Sequence, residues 1–254
     1  MASLFSILLQ GRSDLDFLIY TFAKALKILL VLPSDISGII LLTLELSLLA
    51  TFFSCLLGFP LAFYLYISTS RFKGVLVTLV NSGLAAPPVV VGLLVFLFLS
   101  RQGPLGELNL LYTPAAIVIA ETLLGIPVVA SLGYAALLSI PAEKLFQLLG
   151  WGATFKQALL KLAVEARSGL FAAVMAAFGA IISEVGAVLM VGGNIPEQTR
   201  VLTTAIVVET RMGRFERALA LATILFVLTV VFNYFFTRAQ SSRGDATWKQ
   251  HIWR

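Results

Sequence analysis

The chain has 254 residues, of which 59% are hydrophobic and 12% are charged, with a net charge of +5 and a mean hydropathy of +0.97. A soluble domain carries about 25% charged residues, so this composition excludes an ordinary soluble globule and indicates an integral membrane protein. One cysteine, Cys55, excludes an intrachain disulfide, and one histidine, His251, leaves little for a His-based zinc site or a Ser-His-Asp triad.

Residues 17–32 predict an amphipathic helix lying in the membrane interface. The stretch is apolar but only 16 residues long, whereas about 20 residues are needed to cross a bilayer. Lys24 and Lys27 share one helical face, as in interfacial helices. A sixth span, with both lysines reaching to the surface, is the alternative. A cleaved signal peptide is disfavoured, because the positive charges lie within the apolar run.

Five windows are long and apolar enough to cross the bilayer as helices: 38–67, 75–100, 113–139, 168–192 and 218–237. They contain only three of the 31 charged residues, namely Glu45, Glu121 and Glu184. This segregation suits lipid, since an unpaired charge at mid-membrane costs about 2.5–3.5 kcal/mol. The windows lack the alternation of barrel strands. The sequence therefore predicts an all-α, five-span membrane bundle.

Prolines and small residues predict where these spans bend and pack. Pro60 and Pro127 predict packing kinks, whereas the pair Pro87-Pro88 predicts a helix break that would form one wall of a pathway. In the fourth window, small residues recur every four positions in two stripes, which allows close helix packing and favours a central helix over a dimer interface. The stripes are Gly169, Ala173, Ala177 and Ala172, Ala176, Ala180.

Residues 140–167, between the third and fourth windows, predict two short helices hinged at Gly150-Trp151-Gly152. Their charged residues keep the segment out of the hydrocarbon. An exposed apolar helix with a glycine hinge suits contact with another protein. Packing on its own bundle is the alternative.

This segment resembles the coupling loop of ABC-transporter permeases, which has the pattern E-A-A-x-x-x-G, then nine residues, then I-x-L-P. When Gly150 is aligned with the glycine of the pattern, the E-A-A positions are occupied by Lys144, Leu145 and Phe146. Glu143 lies one residue before the position of the pattern's glutamate. The acidic residue and the proline of the pattern are missing. The resemblance implies a set of residues that couple to an ATPase: Glu143, Lys144, Phe146, Gly150, Trp151, Gly152 and Phe155.

Other runs narrow the family. TLELSLLATFFSCLLGFPLAFYLY and APPVVVGLLVFLFLS resemble the first two core helices of molybdate, sulfate and tungstate permeases. ISEVGAVLMVGGNI resembles the I-S-E-F-G-A region of molybdate permeases, and TRVLTTAIVVET is most similar to the tungstate-specific branch. The resemblance covers roughly residues 38–237. The chain is thereby identified as a member of the type I permease family for these oxyanions.

The resemblance implies a multi-pass protein of the cell membrane that is the permease subunit of an ATP-driven oxyanion importer. Tungstate is the first expectation, with molybdate or sulfate as alternatives. It also implies three regions: an N-terminal extension (1–37), a permease domain (38–237) that includes the coupling loop, and a cytoplasmic tail (238–254).

The implied partners are a second copy of the chain, two cytoplasmic ABC ATPases, an extracytoplasmic oxyanion-binding protein and membrane lipid. The chain has no G-x-x-x-x-G-K-[ST] run, so ATP and Mg would be bound by the partner ATPase, and no cofactor is expected in this non-enzymatic subunit. Nucleic acid is not an expected partner, because the aromatic residues are not interleaved with a basic stripe.

If the coupling loop is cytoplasmic, ten lysines and arginines lie on the cytoplasmic side of the membrane and eight on the outer side. This excess has the sign that the positive-inside rule requires, but it is small. Among the outer arginines, Arg211, Arg214 and Arg217 are expected to pair with nearby glutamates, while Arg200 is expected to meet the anion. From the resemblance, Glu184 is expected either to hold the central helix in register or to form part of a gate, with Ser183 beside it. The expected pathway residues are Asn81, Ser82, Pro87, Pro88, Ser183, Glu184, Arg200, Thr203 and Thr204.

Three other classes of protein remain as rivals. A proton-coupled secondary transporter would use Glu121 or Glu184 as a relay, but five spans are few and the halves show no inverted repeat. A membrane scaffold would use the loop to recruit a partner without transport. An intramembrane enzyme is disfavoured, because the spans lack a His, Asp or Lys for a hydrolytic dyad.

Overall fold

The computed structural model describes residues 2–141 and 143–241, and over these residues the chain is helical without a β-strand. The helices are α1 (Ala2–Val31), α2 (Ser34–Ile67), α3 (Lys73–Leu84), α4 (Pro88–Leu99), α5 (Pro114–Leu138), α6 (Glu143–Gly150), α7 (Phe155–Glu165), α8 (Arg167–Ile182), α9 (Gly186–Gly192), α10 (Leu202–Arg211) and α11 (Phe215–Ser241). A 3-10 turn, Gly106–Leu108, lies between α4 and α5. Most of the predicted tail, from residue 242 onward, lies outside the described residues.

The predicted helical membrane fold is confirmed. Three helices are long and apolar enough to cross a membrane unaided, namely α2, α5 and residues 215–238 of α11. Two further candidates are bent pairs: α3 with α4, at 100°, and α7 with α8, at 70°. Within the described part of the chain the number of spans is therefore three, or five if each bent pair is one span.

Helix α5 lies at the centre of the bundle, where it packs against α2, α3, α4, α8 and α9. The sequence favoured α8 for this position. Only one of the two small-residue stripes of α8 packs inward, since Ala173 and Ala177 are fully buried while Ala172, Ala176 and Ala180 are exposed. α8 is thus a neighbour of the central helix rather than the central helix itself.

Small residues let α2 and α5 pack closely and in parallel. A Cβ atom added to Gly58 would lie 2.8 Å from the Cβ of Val129. The Ser54 hydroxyl donates across the same interface to the Thr122 carbonyl, at 3.2 Å. The facing positions advance together along both helices, through the pairs Ser54–Gly125, Gly58–Val129 and Ala62–Gly133. The two helices therefore begin at one end of the bundle, here termed the upper end, and finish at the lower end.

A ring–ring contact and a backbone hydrogen bond show in which direction the other spans run. The ring of Phe171, near the start of α8, lies 5.4 Å from that of Phe236, near the end of α11. The Tyr112 N–H, just before α5, donates to the Val191 carbonyl near the end of α9, at 2.9 Å. α8 and α9 together therefore run from the lower end to the upper end, and α11 runs back down.

Helix α1 lies beside the upper end. The ring of Phe17 contacts that of Phe215, the first residue of α11, with a centroid separation of 5.9 Å. Ile28 packs against the cluster formed by the first turns of α2 with α10 and α11. Lys24 and Lys27 are exposed. Residues 17–31 thus begin and end beside the same end of the bundle, which favours a surface-lying helix over a sixth span.

The α2–α5 contact predicts opposite effects for two glycine substitutions in α2. Gly58→Ala should lower stability by about 1–3 kcal/mol, because the new methyl group overpacks against Val129. Gly38→Ala is the matched control, since a Cβ there meets nothing within 4 Å and alanine is the better helix former. Thermal unfolding in detergent measures both variants. Equal unfolding temperatures for the two would contradict the packing described here.

Candidate functional site

Two helix breaks meet beside α5, midway between the ends of the bundle. α3 ends at Leu84 and α4 begins at Pro88, while α8 ends at Ile182 and α9 begins at Gly186. Between these breaks and α5 lies a cavity of about 100 Å³. Its walls include Pro88 from the first break, Glu184 from the second, and Glu121 from α5.

The break between α3 and α4 is the one that the sequence predicted. Pro87 and Pro88 lack the N–H groups that would continue α3, and proline is favoured in the first turn of a new helix. Gly92 then allows α4 to approach α9, since a Cβ there would lie 2.6 Å from the Cα of Ala187. Pro60 and Pro127, by contrast, lie inside continuous helices.

The break between α8 and α9 was not predicted, because no proline marks it. The Ser183 hydroxyl donates to the Gly179 carbonyl at the end of α8, at 2.7 Å. The Glu184 Oε1 atom accepts the N–H of Ala187 in the first turn of α9, at 3.0 Å. This contact satisfies one of the free amides at the start of α9, and no residue type marked it in the sequence, because glutamate is not a preferred N-cap residue.

A threonine of α10 fixes the same break from the upper side. The Thr203 hydroxyl donates to the Glu184 carbonyl, at 2.8 Å. The Thr204 hydroxyl instead accepts the N–H of Val201, at 3.2 Å, at the start of α10. Both threonines are buried, and both hydroxyl groups are occupied within the chain. In this structure their hydroxyl groups shape the break and the start of α10.

The other expected pathway residues are dispersed. The Asn81 Oδ1 atom accepts the hydroxyl of Ser131, at 2.6 Å, and so ties α3 to α5. Ser82 is exposed on α3, and Ser183 is exposed at the second break. Pro88 and Glu184 line the cavity, whereas Arg200 does not.

Arg200 lies in the loop that joins α9 to α10 at the upper end. Its Nε atom is buried without a hydrogen-bond partner in the described part of the chain. The Thr199 hydroxyl donates to the Gly192 carbonyl at 2.5 Å and accepts the Ile195 N–H at 2.9 Å, which fixes the shape of this loop. The structure thus separates Arg200 from the cavity.

The expected pairing of outer arginines is confirmed for two of them. Glu209 is buried, and its carboxylate lies 3.4 Å from Arg217 Nε and 3.6 Å from Arg214 Nη1. Arg217 also pairs with Asp35, a partner that the sequence did not indicate because it is 182 residues away. These ion pairs join the beginnings of α2 and α11 to the end of α10.

A second candidate site is the exposed face of α6 and α7 at the lower end. The two predicted helices are confirmed, with a turn between them in which Gly152 has a φ of +89°. Glu143 and Lys144 lie in the first turn of α6, and Lys144 pairs with Glu165 of α7. A capping box formed by Thr154 and Gln157 starts α7.

This helical pair has an inner and an outer apolar face. On the inner side, Leu162 packs against Ala62 of α2 and Leu137 of α5. The outer side carries the aromatic face, which consists of Phe146 (70% exposed), Trp151 (81%) and Phe155 (49%). A Cβ atom added to Gly150 or Gly152 would meet nothing. The inner face of the segment therefore packs on its own bundle, while the aromatic face is exposed.

No protein-family model matches the chain. A probable anion ABC transporter permease protein of Haloferax volcanii is 40% identical over 196 residues, which cover 75% of this chain and 84% of that protein. The tungstate uptake system permease protein TupB of Peptoclostridium acidaminophilum is 35% identical over 221 residues, or 86% and 96% of the two chains. The molybdenum transport system permease protein ModB of Azotobacter vinelandii is 32% identical over 220 residues, or 78% and 92%.

Solved structures share the fold. The crystal structure of a bacterial ABC transporter involved in the import of the acidic polysaccharide alginate matches with a TM-score of 0.71 and 19% identity, covering 94% of this chain and 95% of that chain. An inward-facing MetNI methionine ABC transporter matches with a TM-score of 0.67 and 19% identity, covering 82% and 94%.

The capping contact of Glu184 predicts a split between two substitutions. Glu184→Ala removes the acceptor for the Ala187 N–H and should cost about 1 kcal/mol, or roughly 2–4 °C in unfolding temperature. Glu184→Gln keeps a side-chain carbonyl at the same place and should stay close to the wild type. Thermal unfolding in detergent checks both. If Glu184→Gln is as unstable as Glu184→Ala, the charge rather than the cap stabilises the break.

Proposed function

The chain belongs to the family of ABC-transporter permeases, and on that basis we propose that it is the membrane subunit of an importer for tungstate. Two observations support tungstate: the 35% identity to a tungstate permease over 96% of that protein's length, and the similarity of residues 199–210 to the tungstate branch. Molybdate is the second candidate, supported by the 32% identity to a molybdenum permease. ATP hydrolysis belongs to a separate ATPase subunit.

The aromatic face of α6 and α7 is the surface that we propose couples the permease to its ATPase. Three aromatic side chains are exposed beside glycines that leave room for a partner. Aromatic residues of this kind supply much of the binding energy at protein interfaces. We assign the docking of the ATPase to this face, with Glu143 and Lys144 at its edge. The match to the family's coupling loop supports the same assignment.

Through the inner side of the helical pair, movement of a docked ATPase would be transmitted to the bundle. Leu162 is fully buried against the ends of α2 and α5, and the Lys144–Glu165 pair joins α6 to α7. Helices packed in this way move as a unit, because protein interiors have little free volume. Movement of the docked ATPase would therefore reach α5, whose middle turns form the wall of the cavity.

The pathway in this proposal runs past the two breaks. Pro87 and Pro88 form one wall, and Ser183 and Glu184 form the other, with Glu184 as the gate residue. Asn81 and Ser82 lie below the cavity on α3, and Arg200 lies at the upper end. Hydroxyl and amide groups suit weak contact with an oxyanion, which must bind and then leave. Thr203 and Thr204 contribute indirectly, by shaping the second break.

Two surfaces suit the other proposed partners. The exposed stripe of Ala172, Ala176 and Ala180 on α8 would let a second copy of the chain approach closely, giving a homodimer around the pathway. The upper end, where Arg200 and Arg211 lie, would face the extracytoplasmic binding protein. Positive charge there would raise the local concentration of a released anion.

Reconstitution tests the function and the substrate together. The permease is placed in liposomes with its ATPase and a binding protein that has been titrated with tungstate, molybdate and sulfate in turn. We expect ATP-dependent uptake that is fastest with tungstate. Uptake of a different oxyanion alone would replace the substrate, and uptake without any ATPase would favour the secondary-transporter class.

Charge substitution on the aromatic face should uncouple the transporter. We expect Trp151→Glu and Phe155→Asp to insert and fold, because both side chains project outward, but to reduce uptake by about tenfold or more through the loss of an interface anchor. Trp151→Phe is the matched control and should keep most of the uptake. Uptake and ATP hydrolysis are measured in the same liposomes.

Normal coupled uptake in Trp151→Glu would remove the assignment of this face. Co-purification of the ATPase with each variant gives a separate measure of docking, which should fall in parallel with uptake.

A further inference from the structure

Glu121 is a buried carboxyl group near the middle of α5, where it is only 4% exposed. Its Oε2 atom has no hydrogen-bond partner in the described part of the chain. None of the ion pairs found over residues 2–141 and 143–241 involves Glu121. Burial of an unpaired carboxylate is much more costly than burial of the neutral acid. Glu121 is therefore expected to carry its proton, and a buried O–H group needs an acceptor.

Glu184 is the acceptor that the cavity of about 100 Å³ offers to this proton, since both glutamates line it. The other residues that line the cavity have apolar side chains or, at Gly83, no side chain. Among the described residues, Glu184 is also the charged group whose field acts on Glu121. The two carboxyl groups therefore face each other's elements across one small and otherwise apolar space.

Glu184 is able to remain ionised beside this cavity, unlike Glu121. It is only partly buried, and its Oε1 atom accepts the N–H of Ala187 at 3.0 Å. The 12-residue helix α4 begins at Pro88, which also lines the cavity, so the positive end of its dipole lies nearby. A carboxylate accepts hydrogen bonds at both oxygens, which leaves Oε2 of Glu184 for a further donor. A neutral acid and a carboxylate form a short, strong hydrogen bond without any cation.

We propose that Glu121 is a latch for the gate: when the second break closes against α5, its protonated carboxyl group donates an O–H hydrogen bond to the Glu184 carboxylate. The proposal rests on the importer function proposed above, with Glu184 as the gate residue. Glu121 is then a positioning residue, which acts through Glu184 and does not contact the oxyanion.

The structure shows this latch open. The two carboxyl groups lie on different walls of the cavity, and over the described residues Oε2 of Glu121 has no partner. A contact that is made in only one of two states favours that state. The latch would thus keep the gate closed until the loaded binding protein docks.

Infrared spectroscopy of the complete transporter in liposomes tests the proton and its acceptor. A protonated carboxyl group has a C=O stretch that an ionised carboxylate lacks. We expect the wild type to show such a band at neutral pH, and Glu121→Gln to lose it. A non-hydrolysable ATP analogue should move the band, because the hydrogen bond to Glu184 is made in one state only. Glu184→Ala, which keeps the acid but lacks the acceptor, should keep the band and abolish its movement.

ATP hydrolysis without the binding protein tests the latch itself. Glu121→Leu removes the donor and leaves an apolar side chain in a buried position, so basal hydrolysis should rise about tenfold through the loss of a hydrogen bond to a charged group. Glu121→Gln keeps a donor and should stay within about twofold of the wild type. Thr122→Val is the matched control, because the Thr122 hydroxyl is also buried without a partner over the described residues but does not line the cavity.

Each contrary result has its own meaning. If no wild-type band disappears in Glu121→Gln, Glu121 is ionised. If the band moves equally in Glu184→Ala, Glu184 is not the acceptor. If Glu121→Leu hydrolyses ATP at the wild-type rate, or Glu121→Gln is as fast as Glu121→Leu, a neutral donor does not hold the gate. Any of these overturns the latch and leaves the importer function intact, and the infrared results decide even where Glu121→Leu does not fold. Wild-type liposomes that take up no oxyanion with a loaded binding protein would instead overturn the proposed function.

Discussion

The parallel packing of α2 against α5 is the contact on which the rest of the structure depends. Gly58 and Gly125 bring the two backbones so close that one methyl group at either position would collide with the neighbouring helix. Because α5 also packs against α3, α4, α8 and α9, its position relative to α2 fixes the place of both broken spans. The lower ends of the same two helices receive Leu162 of α7. One helix pair therefore connects the helices that carry the aromatic face with the cavity.

The two breaks would be unstable in lipid without the protein around them, since every freed backbone group must find a partner there. At the first break the residues are prolines, which have no N–H group that needs a partner. The second uses side chains, because Ser183 and Glu184 bond to the helix ends on either side and Thr203 bonds to the Glu184 carbonyl. The two solutions have different mechanical properties. A break made of side-chain hydrogen bonds can rearrange, whereas a proline break persists, so the gate proposed at Glu184 lies at the more adaptable of the two breaks.

The parts of this architecture that depend on local sequence were predictable. Apolar length and proline position predict the spans and the first break, and the glycines around Trp151 predict the paired helices of the loop. The parts that depend on contacts between distant residues were not. Helix α5 is central because Gly125 and Gly133 let it pack closely against α2. The sequence of α5 alone does not show this contact. The pairing of Asp35 with Arg217 and the closure of the cavity around Glu121 likewise need the fold to bring separate spans together.

The buried charges of the bundle are compensated in different ways at its upper end and in its middle. At the upper end, Glu209 and Asp35 neutralise Arg214 and Arg217 and hold three helices together, so these arginines stabilise the fold and cannot also trap an anion tightly. In the middle of the bundle, none of the ion pairs of the described residues involves Glu121, so the cost of burying an unpaired charge favours the neutral acid there. The two buried glutamates therefore differ in what offsets the cost of burial, which is a pair of arginines for Glu209 and a proton for Glu121.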